Sequence, residues 1–229
     1  MAYTPTVWKN GEFPPIDAEH LNKIEQGIAN SAPGGFGLGE LSGRTVNSFS
    51  DITGYGFYRI PTESGFAPDT STNWGGVYIG ASLSYGTLLY ARNSALMAVR
   101  EVSGGEVGPI EWINPPMQLG VEYRTTERYL GKPVYCKVID CGAVPDANTN
   151  KTVDFADLGI SRIISWTGNV DVGGNTFALP YQEIGREADN ATIYVFVNYA
   201  GITLRTDSRW FAENGGTAQC TIWYTKTPD

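Results

Sequence analysis

Pro115-Pro116 divides the chain more sharply than any other pair. A proline cannot donate to a ladder of backbone hydrogen bonds, and the residue before it is pushed into extended geometry. Trp112-Ile113 should therefore close one β unit, with a second opening near Pro133. The stretch 111–135, EWINPPMQLGVEYRTTERYLGKPVY, reads as a hinge carrying Glu122, Arg124, Glu127 and Arg128, with Tyr123 and Tyr129 as apolar surface among the charges. A glycine-rich half lies before it and a strand-rich half after it.

Both halves should be mainly β. Charged residues make up only 17% of the 229, whereas Gly is 28, Tyr 13 and Trp 6, which favours short strands and tight turns over helices. With 41% hydrophobic residues the chain can bury a core. A net charge of -8 with no basic run argues against nucleic acid as a partner. No apolar run approaches the ~20 residues that span a bilayer, and 1–13 lacks a secretory signal, so membrane insertion is not expected and synthesis in the cytoplasm is.

Strands are expected at 57–60, 77–81, 87–92, 96–102 and 110–113, separated by turn clusters such as Ser103-Gly104-Gly105. Later come 134–140, 152–155, 162–166, 176–179, 191–198, 202–205 and 218–226, a set of about seven with the spacing of an antiparallel sandwich or jelly-roll-like head. In 218–226, Cys220, Ile222 and Tyr224 should face a core, with Gln219, Thr221, Trp223 and Thr225 on the other side. Ile193 to Val197 is apolar on both faces, suiting the middle of a sandwich or a surface shared between subunits.

One helix is expected. Asp17 can cap it, and Leu21, Ile24 and Ile28 repeat at three-then-four spacing until Pro33-Gly34-Gly35 stops it. So narrow a seam suits a coiled coil, and Ile-rich core positions favour trimers over dimers. A stripe this short packs equally well on its own chain's β domain.

Little catalytic chemistry is in reach. His20 is the only histidine and falls on that helix, which leaves Ser-His-Asp and Cys-His mechanisms without a base near any β domain. Cys136, Cys141 and Cys220 are odd in number and read as buried free thiols; C-x4-C with no second ligand pair supplies too few zinc ligands. No metal, cofactor or catalytic residue is expected. Glycoside hydrolysis is the enzyme reading that stays open, because two carboxylates suffice; Asp154 with Asp157, or Asp140 with Asp146, are the nominees.

Three runs resemble bacteriophage tail proteins. YTPTVWKNGEFPPIDAEHLNKIEQGIANS, with Ala18, Leu21, Asn22, Glu25, Gly27 and Ile28, is similar to their leader, an arm running into a helix that attaches to the tail and begins trimer formation. The run from Asn47 and Asp51-Ile52 through Gly56-Phe57-Tyr58-Arg59-Ile60 to Glu111-Trp112-Ile113 resembles the pyocin-knob module, departing from it at Val107, where another tryptophan often stands. GVEYRTTERYLGKPVYCKVIDCG resembles the segment that opens the C-terminal domain of tail-fibre and receptor-binding proteins.

The resemblance implies a homotrimeric fibre in the virion tail. Residues 1–33 would be the arm and trimerising helix, seamed by Leu21, Ile24 and Ile28 and contacting a tail or baseplate protein. Residues 34–114 would be a glycine-rich connector and knob-like module, and 115–229 the hinge and C-terminal head. The fibre would attach the particle, without catalysis, to host cell-surface polysaccharide. Sugars are held on aromatic faces with a few polar groups, which nominates Tyr181, Asn198, Tyr199, Asp207, Arg209 and Trp210, unless these fill cores and trimer seams. A structural collar or baseplate fibre, or a glycan-degrading tail enzyme, are the alternatives.

Overall fold

The computed structural model describes residues 21–24, 44–182, 192–208 and 216–227. Residues 21–24 are helical, with Leu21 and Ile24 exposed; Ile28 and the rest of the expected arm and helix lie outside the described residues. The rest of the described chain is almost all strand and turn, in two units divided between Ile110 and Glu111.

In the first unit β1 (Arg44–Thr45) runs parallel to β2 (Gly56–Ile60). An antiparallel meander follows: β3 (Trp74–Ser82), β4 (Tyr85–Ala91), β5 (Met97–Ser103) and the short β6 (Glu106–Val107). Period-two alternation puts Tyr58, Ile60, Trp74, Tyr78, Leu88, Tyr90 and Ala98 on one buried face. Connecting segments cover it with Val46, Ile52 and Phe66. The segment before β2 is held by Asp51, whose carboxylate accepts from the backbone of Asn47 at 2.8 Å and Ser48 at 3.1 Å. Those bonds hold its pKa below the usual value.

The second unit is a two-layer sandwich. One sheet has the order β7 (Glu111–Asn114), β8 (Glu122–Tyr129), β9 (Lys132–Ala143), β16 (Gly216–Lys226), β11 (Ile160–Val172), β12 (Asn175–Ala178). The other runs β10 (Asn150–Asp154), β15 (Gly201–Thr206), β14 (Thr192–Val197), β13 (Tyr181–Gln182). Ile139, Val170, Cys220, Ile222 and Tyr224 from the first sheet meet Ile193, Ile202 and Leu204 from the second in one core. Each fully buried Ile or Leu there stabilises by about 1.5–3 kcal/mol. Gly173-Gly174, both at positive φ, make the two-residue turn between β11 and β12.

Two expectations change on this scaffold. The stretch read as a charged hinge contains β8, because its charges are paired rather than solvated. Glu111 accepts from Arg124 at 2.9 Å and Arg128 at 2.7 Å, and Glu122 accepts from Lys226 and from the buried Tyr224 hydroxyl. Tyr123 and Thr125 take the alternate positions and are buried. In β16 the alternation holds through Tyr224, but Thr225 is buried rather than outward; it pairs with Arg162, between the two register shifts of β11 against β16 at Ile160/Arg162 and Ile163/Ser165. All three cysteines are buried free thiols.

Candidate functional site

The face of the smaller sheet turned away from the core carries the most distinctive exposed chemistry in the second unit. On β14, Ile193, Val195 and Val197 point one way, Tyr194 and Phe196 the other. The inward set packs in the core or against it, while Tyr194 and Phe196 stay exposed at 45% and 54%. Register then sets their neighbours. Tyr194 lies opposite Arg205 on β15, which lies opposite Asn150 on β10; Phe196 lies opposite Thr203, which lies opposite Thr152. The hydroxyls of Thr152 and Thr203 hydrogen-bond at 2.9 Å, tying the polar side of this platform together.

At one end the platform deepens into an open concavity of about 340 Å³ lined by Asn148, Tyr194, Phe196, Arg205, Asp207 and Ser208. Its floor is fixed. Thr206 is fully buried and its hydroxyl donates to the Asp146 carbonyl, while its backbone N–H reaches Thr149 O at 3.2 Å. Asn148 N–H donates to Asp207 O at 3.0 Å, and Asp207 N–H to Thr192 O at 3.1 Å. The arginine is different. Among the described residues no hydrogen bond or ion pair holds the exposed Arg205 guanidinium, whereas Arg92 pairs with Asp69 and Arg124 and Arg128 with Glu111. Two ring faces, a fork-shaped cation and a rim of amide, hydroxyl and carboxylate groups can bind a polyhydroxylated ring by stacking and hydrogen bonds.

The nominated residues are scattered. Asp207 lines the concavity. Asn198 closes the turn from β14 to β15, its Oδ1 accepting from Ala200 N–H at 2.9 Å and Gly201 N–H at 3.1 Å; Tyr199 is 61% exposed at the tip of that turn. These two stand at the far end of β15 from Asp207, roughly 17–20 Å away at the usual strand rise. Tyr181 enters through its backbone, opposite Ile193. Arg209 and Trp210 lie outside the described residues. Tyr194, Phe196 and Arg205 are not among the nominees, although the first two alternate with Ile193, Val195 and Val197, and Arg205 with Ile202 and Leu204.

A second, shallower concavity of about 210 Å³ lies on the larger sheet, lined by Val138, Thr167, Gly168, Asn169, Gln219 and Thr221. None of Asp140, Asp146, Asp154 and Asp157 lines either concavity. Asp140 accepts from Gly142 N–H at 2.7 Å, and Asp154 and Asp157 are exposed.

No family model matches the sequence, and no curated protein matches it. Among solved structures, the chain is similar to a C-terminal part of the R1 pyocin fibre of P. aeruginosa, at 10% identity and a TM-score of 0.26, over 80% of this chain and 66% of that one. It is also similar to an N-truncated R2-type pyocin tail fibre, at 9% identity and a TM-score of 0.25, over 80% of this chain and 94% of that one. Overlap this loose fixes neither a shared fold nor a shared function.

Proposed function

We propose that this protein is a tail-fibre component that attaches a phage or phage-tail-like particle to its host by binding cell-surface glycan, without catalysis, on the outer face of the β10, β15 and β14 strands. The observation that carries the reading is the exposed pair Tyr194 and Phe196 beside Arg205 in an open concavity. Isolated exposed aromatics are common, but two on one strand, aligned with a cation and a polar row, make a patch shaped for a ligand. The fibre is a homotrimer of 24.9 kDa chains in the virion tail, with residues 1–33 toward the tail or baseplate protein. Three copies of a weak site then act together, so avidity exceeds single-site affinity by ~10²-fold or more.

Host cells or their extracted polysaccharide, incubated with the full chain, should retain it by sedimentation without a time-dependent release of reducing ends. The double substitution Tyr194→Ala and Phe196→Ala should lower retention at least tenfold with an unchanged far-ultraviolet spectrum. Released reducing ends that disappear on Asp154→Asn or Asp140→Asn would instead make it a glycosidase. Retention unaffected by the double substitution would remove this face from the reading, and light scattering at a single-chain mass would remove the trimer.

A further inference from the structure

We infer that the sugar taken by this face is acidic, a uronic acid held through its carboxylate by Arg205; the inference rests on the glycan reading above and assigns the class of its ligand. Arg205 sits in the middle of the platform. Its neighbours across the sheet are Asn150 on one side and Tyr194 on the other, and the next row is Thr152, Thr203 and Phe196, all uncharged. The chain carries a net charge of -8, yet no acid stands in either row, and no described residue bonds or pairs with the guanidinium. Other arginines here are held: Arg44 donates to Thr53, Arg92 pairs with Asp69, Arg100 lies over Phe66 and Arg162 over Tyr129.

A sugar ring stacked on Tyr194 or Phe196 strips water from the guanidinium beside them on β15. A neutral sugar returns only hydroxyl acceptors for that loss, whereas a carboxylate returns two coplanar oxygens that match the fork and form charge-assisted bonds roughly twice as strong. The remaining polar groups suit the rest of such a ring. Asp207 at the rim accepts from hydroxyls, and Asn148 and Ser208 donate or accept beside it. With Asp207 so close, one negative charge on the ligand is favoured over two. A phosphodiester offers the same monoanionic oxygens, and the test separates the two sources.

The experiment measures binding of the full chain to polygalacturonate, alginate and hyaluronate, each beside its methyl ester, and to a phosphodiester-bearing teichoic acid, at 50 and 300 mM salt. At least one uronan should bind tenfold or more tightly than its own ester at low salt, with the gap narrowing at high salt as the charges are screened. Arg205→Gln should close that gap, bringing uronan and ester to the same affinity at both salt concentrations, and Arg205→Lys should restore part of it. If no uronan outbinds its ester, or Arg205→Gln keeps the preference, the acidic assignment falls while the glycan reading stands. Teichoic acid binding through Arg205 with no uronan preference would likewise overturn the carboxylate. Failure of host polysaccharide itself to bind brings down the glycan reading.

Discussion

Gly201 is the residue on which the platform's geometry can be tested without touching its chemistry. It opens β15 opposite Asp154, and a Cβ placed there would lie 2.5 Å from the Val153 carbonyl oxygen and 3.3 Å from the Thr152 methyl. The first distance is about 0.9 Å short of ordinary van der Waals contact, and the atom it strikes is backbone inside a ladder, so no side chain can swing away. In Gly201→Ala either β10 moves outward or the hydrogen bonds around Asp154 lengthen. Overpacking of this kind costs about 1–3 kcal/mol, and a further ~1 kcal/mol goes with a weakened bond. For a unit of this size each kcal/mol lowers the midpoint by about 4 °C, so thermal melting should fall by roughly 8–16 °C. Gly54→Ala is the control: nothing lies within 4 Å of its Cβ and its φ is not positive, so the melting point should hold or rise slightly. A Gly201→Ala protein that melts within a degree of the parent would refute the close approach of β10 to β15.

Three more predictions follow from the second unit and the core of the first. Stability should fall as pH rises from about 9 towards 11, because burial, with Glu127 and Glu122 nearby, pushes the Cys136 thiol up to about 11, so the unfolded state releases its proton first; burial also raises Tyr90 and Tyr224, which deepens the loss, and urea midpoints at pH 8, 9 and 10 would show it. Ile222→Ala, at a site with no exposure, should cost about 2–5 kcal/mol by urea denaturation. Glu111→Ala leaves Arg124 and Arg128 without their carboxylate and should cost about 1–3 kcal/mol, most of it at low salt; a loss no larger than that of an exposed control would mean the network is solvated.

How much of this was legible depends on which forces act within a strand and which across it. Alternation inside one strand was readable, and Ala218, Cys220, Ile222 and Tyr224 are buried as their parity required. Pairing between strands was not. Glu122, Arg124 and Arg128 look like a solvated hinge until Glu111, from the start of the same stretch, and Lys226, from the last strand, are brought beside them. Ile193 to Val197 posed the same problem from the other side. Its two apolar faces suit the middle of a sandwich or a surface shared between subunits, and the layering of the sheets within one chain leaves Tyr194 and Phe196 outside. Asn198 was nominated for its amide, which the β14–β15 turn already uses.

The place of β16 between β9 and β11 sets the order in which this unit can be made. From the end of β9 at Ala143 to the start of β16 at Gly216 the ribosome adds 72 residues, 144–215. At the usual 5–20 residues per second that takes about 4–14 s, while β-hairpins form in microseconds. During that interval β9 and β11 present unpaired edges where the sheet's centre will be, and the core lacks Ala218, Cys220, Ile222 and Tyr224. Neighbouring chains on one message wait in the same state, with the same edges open. Supply of folded protein is thus governed by how well those edges are shielded until β16 arrives, and slower translation through 144–215 should increase the aggregated fraction at unchanged stability of the finished fold.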